Sequence, residues 1–157
     1  MPDRLMYALL IDDDDVSRES VVRALERHCQ GVAVVTARDG REALSKLRGE
    51  NGTPLDGVPL IILLDINMPG MNGHEFLAEL RTDPKLRHLV TFAHTTSESP
   101  RDISDAYAMN VAGYIVRSLR DREHTRLIEI VQSYQDGVTF PLPTACRHKQ
   151  GHSGAGT

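Results

Sequence analysis

Five short aliphatic runs, each followed by a segment with helical spacing, leave this 157-residue chain very few architectures. The runs are YALLI (Tyr7–Ile11), VAVVT (Val32–Thr36), LIILL (Leu60–Leu64), VTFAH (Val90–His94) and GYIVR (Gly113–Arg117). LIILL is apolar at every position, as a central parallel strand covered on both faces has to be. Between the runs, apolar residues recur near every 3.6 positions. Val21, Leu25 and Cys29 mark a first helix, Ala43, Leu44 and Leu47 a second, and Leu77 with Leu80 a third. Ile103, Ala106 and Tyr107 mark a fourth, and Leu127, Ile130, Val131 and Tyr134 a fifth. Asp39-Gly40 turns into the second helix, Gly49–Pro59 is a long turn-rich connector, and Asn110 stands where a left-handed residue must end the fourth helix. Strand–helix alternation of this kind predicts an α/β domain with a five-stranded parallel sheet and helices on both faces.

Size and charge narrow the function. The chain suits one domain, read here as residues 1–137, with 138–157 as a C-terminal extension whose last part is too polar and Gly-rich to pack. Eighteen basic against 22 acidic residues give a net charge of −4, which does not favour a protein held on nucleic acid by phosphate contacts. No apolar stretch approaches the roughly 20 residues that span a bilayer. No signal peptide is read at the N-terminus, and Cys29 and Cys146 lack metal-ligand spacing, so two unpaired thiols in a reducing cytoplasm are expected.

In an open parallel sheet, chemistry gathers at the C-terminal ends of the strands. The first strand delivers Asp12 and Asp13, the third Asp65 with Asn67 two residues on, the fourth Thr95 and Thr96, and the fifth Arg117. Taken alone, Asp12 and Asp13 read as a solvated charge run, while Asp14 and Asp15 sit where the first helix begins and suit its N-terminus. An aspartate placed directly after a run of buried aliphatic residues, as Asp65 is, is costly unless it has a partner. Three carboxylates sharing one crevice raise each other's pKa, and a divalent cation removes that penalty. An all-oxygen, incompletely caged set suits Mg²⁺, which keeps several waters. A carboxylate beside such an ion can attack a phosphoryl donor and become an acyl phosphate. His28, His74, His88, His94 and His124 show no metal or catalytic spacing and read as surface or packing residues.

These stretches resemble the receiver domain of two-component response regulators, a (βα)5 flavodoxin-like fold. LLIDDDDVSR (Leu9–Arg18) resembles the family's acidic pair, and ILLDINMPGMNG (Ile62–Gly73) its phosphoacceptor strand and following loop. HTTS (His94–Ser97) and NVAGYIVRS (Asn110–Ser118) fit the ends of its fourth and fifth strands. The likeness runs from about Leu5 to Tyr134. It implies Asp65 as the phosphorylated residue, with Asp13, Asp65 and the Asn67 carbonyl ligating Mg²⁺ directly and Asp12 through water. It implies Thr95 as the switch hydroxyl and Tyr114 as an aromatic ring that turns inward behind it.

The family carries lysine where this chain has Arg117, and usually proline where it has Ser118. A planar guanidinium is not a compact ammonium, so the readout geometry is expected to differ. The family's lysine–proline bond is typically cis; without proline a cis bond costs about 2.5–4 kcal/mol, so a trans bond is expected here. The connector, the TTS triplet, and VTFPLP (Val138–Pro143) resemble the single-domain regulators paired with bacterial phytochrome histidine kinases. That likeness implies a phytochrome-type sensor kinase as phosphoryl donor and a homodimer through the fifth helix and the extension. The expected protein is a cytoplasmic, Mg²⁺-dependent phospho-switch, not a metabolic enzyme, acting through protein contacts without nucleic acid or membrane. The alternatives are a pseudo-receiver signalling without phosphate and an aspartate-nucleophile phosphatase. The phosphatase would need an acid where Asn67 stands.

Overall fold

The computed structural model describes residues 5–50, 55 and 57–141. Cys146 and the end of the VTFPLP segment lie outside the described residues. Strands β1 (Met6–Ile11), β2 (Val32–Ala37), β3 (Leu60–Leu64), β4 (Val90–Thr95) and β5 (Gly113–Val116) alternate with helices α1 (Asp15–His28), α2 (Gly40–Arg48), α3 (Gly73–Thr82), α4 (Pro100–Ala108) and α5 (Thr125–Gly137). All four strand pairings are parallel, in the order β2-β1-β3-β4-β5. The winding reverses between β1 and β3, which places a crevice beyond the ends of those two strands.

The period-2 alternation of side chains divides the interior into two cores. Leu9 and Ile11 of β1 and Leu60, Ile62 and Leu64 of β3 point to one face, where Leu44 and Leu47 of α2, Phe76 and Leu77 of α3 and Ala106 of α4 cover them. Ala8, Leu10, Ile61 and Leu63 point to the other, under Val21 and Leu25 of α1 and Leu127, Ile128 and Val131 of α5. Every residue of β3 is buried. The apolar run LIILL is thus explained by helices on both sides.

Helix starts follow local chemistry. Asp14, Asp39, Asn72 and Ser99 each cap a helix by accepting from a main-chain N–H three residues on. His124 precedes α5 at φ 56° without a side-chain cap; the Asp121 carboxylate accepts from Thr125 N (3.0 Å) and Arg126 N (3.4 Å) instead. Asn110 takes φ 60°, the left-handed geometry expected after α4. No peptide bond among the described residues is cis, Arg117–Ser118 included.

Two helix faces differ from the sequence reading. Tyr107 is 51% exposed, because α4 meets the sheet mainly through Ala106. In α5 the fully covered residues are Leu127, Ile128, Val131 and Gln135, while Ile130 and Tyr134 lie at the margin of the second core. Each helix buries only the stripe that faces the sheet, which is narrower than its apolar spacing offers. At the bottom of the sheet, Arg81 of α3 donates to four carbonyls, those of Arg87 and Leu89 before β4 and those of Met109 and Asn110 before β5.

Candidate acidic phosphoacceptor site

β1 and β3 end side by side, and Asp65 N donates to Ile11 O at 2.9 Å. That pairing sets Asp12 and Asp65 next to each other at the crevice. Asp12 is 1% exposed and Asp65 7%, whereas Asp13 lies open to solvent. One carboxylate oxygen from each of Asp12, Asp13 and Asp65 falls within a 4.8 Å group. Three hard oxygens with one exposed member form an open-sided donor set, and this chemistry fits a divalent cation that retains water.

Each buried acid is held in place. Asp12 Oδ1 accepts from Asp14 N (2.9 Å), its carbonyl accepts from Arg18 Nη1 (2.8 Å), and its Oδ2 accepts from Arg117 Nη1 (2.9 Å). Asp65 Oδ1 accepts from Asn67 N at 3.3 Å, and the Thr95 hydroxyl bonds the same carboxylate. Burial pushes the Asp65 pKa above the ordinary carboxylate value, and the neighbouring Asp12 charge adds to this. The Thr95 hydrogen bond, the Arg117 charge and the Asn67 N–H act in the opposite direction without cancelling it. Gly73 lets the start of α3 approach this strand end, since a Cβ there would lie 2.8 Å from Asp65 O and 2.7 Å from Ile66 Cα.

The other wall comes from β4 and β5. Thr95 closes β4 and is buried, while Thr96 faces solvent. Arg117 N donates to Thr95 O at 2.7 Å, which carries the β5 chain one residue past the strand and turns Arg117 toward the acids. Its side chain is 14% exposed. Nη1 also donates to the Ser17 hydroxyl on α1, and Nη2 stands 3.9 Å from Asp65 Oδ2. Tyr114 is half-buried against the first core, and its hydroxyl donates to Ser97 O at 2.9 Å. Ser97 in turn donates from N to Thr95 Oγ1 (3.4 Å) and from Oγ to Asp102 at 2.6 Å. The ring is therefore tied through its hydroxyl to the loop that follows Thr95.

Asp12, Asp13, Asp65, Thr95 and Arg117 converge as the strand ends implied. Asn67 is adjacent through its N–H, with its side chain exposed. Sequence spacing alone does not mark Ser17, Ser97, His94 or His124 as site residues. His94 and His124 are buried packing residues with ring centroids 5.9 Å apart, and His124 Nε2 meets Ser20 Oγ at 2.9 Å. Burial, then the Arg117 charge, then His124 hold the His94 pKa down at about 3.

A doubly wound sheet with an acidic crevice at its β1/β3 switch point and a hydroxyl and a cation opposite defines the response-regulator class. The chain belongs to the response regulator receiver domain family, which it matches over residues 8–131. It is 31% identical over 126 residues to the probable methanogenesis regulatory protein FilR2 of Methanothrix harundinacea, covering 80% of this chain and 81% of that protein. It is 27% identical over 134 residues to response regulator Rcp1 of Synechocystis, covering 85% and 91%. The phosphorylated cyanobacterial phytochrome response regulator RcpA is similar in structure, with a TM-score of 0.71 at 29% identity over 87% of this chain and 97% of that one. The manganese-bound form of Rcp1 gives the same TM-score at 27% identity, covering 87% and 99%.

Proposed function

We propose that this receiver accepts a phosphoryl group on Asp65 from a phosphohistidine of a sensor kinase of the phytochrome type, with Mg²⁺ at Asp12, Asp13, Asp65 and the Asn67 carbonyl. The observation that carries this reading is the buried Asp65 carboxylate, grouped with two more acids and facing both Thr95 and Arg117. The likeness to RcpA and Rcp1 supports the choice of donor class. Bound Mg²⁺ would neutralise charge on the phosphoryl oxygens.

The chain's own residues do the rest. An Asp65 oxygen forms the new P–O bond as the P–N bond breaks, and the imidazole leaves with the bonding pair. Thr95 turns its hydroxyl from the carboxylate to a phosphoryl oxygen. Arg117 offers a planar fork to the same group. Tyr114, tied to Ser97 O, moves with the β4–α4 loop, so charge added at Asp65 reaches the surface formed by α4, β5 and α5. The role is that of a cytoplasmic signalling partner rather than a turnover enzyme. Output passes through protein contacts, including a homodimer through α5 and the extension from Val138. Ile130 and Tyr134 at the margin of α5, with Phe140 against the same core, support that surface.

Intact mass spectrometry after incubation with Mg²⁺ and acetyl phosphate tests the reading. One phosphoryl adduct on the wild type and none on Asp65→Asn is expected. No adduct on the wild type defeats it in favour of a pseudo-receiver, for which the Arg117–Asp12 pair is the supporting observation. Truncation before Val138 should lower the mass seen by light scattering; an unchanged mass defeats the dimer.

A further inference from the structure

We propose that Ser17 is a positioning residue that parks the Arg117 guanidinium on the first helix. Loading of Asp65 then requires Arg117 to exchange the Ser17 hydroxyl for a phosphoryl oxygen. The inference rests on the reading of Asp65 as phosphoacceptor. It concerns what this chain does with an arginine at the end of β5.

The guanidinium is held unevenly. Nη1 has two acceptors, the Asp12 carboxylate at 2.9 Å and the Ser17 hydroxyl. Nη2 reaches Asp65 only at 3.9 Å, an ion-pair distance rather than a hydrogen bond. Nε is buried and has no partner among the described residues, and the same holds for His94 Nδ1. Both residues line a cavity of about 10 Å³ with Asp121 and His124, too small for a ligand. One edge of the fork is therefore well satisfied toward α1, and the rest is not.

A buried donor without an acceptor is a standing penalty, relieved whenever an acceptor arrives. Three phosphoryl oxygens on Asp65 would give Nη2 and Nε what they lack, at the expense of the bond to Ser17. The parked pose is stable enough to be the resting state because Ser17 sits in the first turn of α1, fixed by its N–H on Asp14 Oδ1 at 2.9 Å. Rearrangement of Arg117 thus frees the start of α1 from the end of β5, a coupling that depends on the serine hydroxyl.

The test compares Ser17→Ala and Ser17→Thr in the wild type and in Arg117→Lys. Fluorine NMR follows beryllofluoride binding with Mg²⁺, and urea unfolding of the resting proteins provides a second readout. Ser17→Ala should tighten beryllofluoride about three- to tenfold, the equivalent of one lost hydrogen bond. Ser17→Thr, which keeps the hydroxyl, should not. Neither change should matter in Arg117→Lys, where the ammonium lacks the fork that reaches α1. An unchanged or weaker affinity in Ser17→Ala overturns the proposal, as does tightening that persists in Arg117→Lys. If the wild type binds no beryllofluoride, the phosphoacceptor reading falls, and unfolding decides the parking contact by itself. Coupling between positions 17 and 117 of about threefold or more in the unfolding constant supports it; additive effects overturn it.

Discussion

The two walls of the crevice differ in how they are built. The acidic wall, at the ends of β1 and β3, is made by residues adjacent in sequence to buried strands and held by main-chain N–H groups, such as Asp14 N on Asp12 and Asn67 N on Asp65. The basic wall, beyond β4 and β5, is made by side chains that meet across about 100 positions of sequence, Arg117 with Asp12 and Ser17, and His124 with Ser20. A wall fixed by its own backbone tolerates little variation. A wall fixed by side chains can change its cation, provided other side chains change with it.

Removing the cation gives the largest expected effect. Arg117→Ala leaves Asp12 buried without its ion pair, and should cost about 3–5 kcal/mol in urea unfolding. A loss below about 1 kcal/mol would mean the basic wall is dispensable. The next effect is one of pH. His94 titrates near 3 in the fold against 6.5 when free, so between these values the unfolded chain binds more protons. Its contribution is complete above pH 6.5 and is lost as pH falls toward 3. His94→Gln should flatten the acid limb of stability by about 1.4 kcal/mol per pH unit within that window.

The acidic wall responds in the opposite sense. The raised pKa of Asp65 means the folded chain binds more protons than the unfolded one just above pH 3.8, so stability falls as pH rises through that range. In metal-free buffer at neutral pH, Asp65→Asn should therefore stabilise the fold, an advantage that shrinks on acidification. Calorimetry with and without Mg²⁺ checks it, since the ion should favour the wild type. The smallest effect belongs to Tyr114→Phe, which removes one hydrogen bond to Ser97 O and should cost about 1 kcal/mol in the same unfolding measurement.

The contrast between the walls also explains what could be read in advance. Asp12, Asp13, Asp65 and Thr95 were legible because a parallel sheet places every strand end on one edge. The five strands and both helix layers followed from aliphatic runs and 3.6-residue spacing. Spacing alone puts Tyr107 and Ile130 in helix cores, yet the depth of contact depends on how far each helix stands from the sheet. Ser17 and the His94–His124 pair carry no local signal, because a serine in a helix's first turn reads as an ordinary surface residue and a strand histidine as filler. Their meaning arises only once an arginine from β5 reaches over α1.

Arg81, at the opposite end of the sheet, works as a keystone. One guanidinium closes the carbonyls of two loops, so the entries to β4 and β5 are fastened by a single side chain. Whatever happens near Thr95 and Arg117 takes place on strands whose lower ends are fixed to each other. Loss of that one fork would open both loops together, and their amide protons should exchange as one unit.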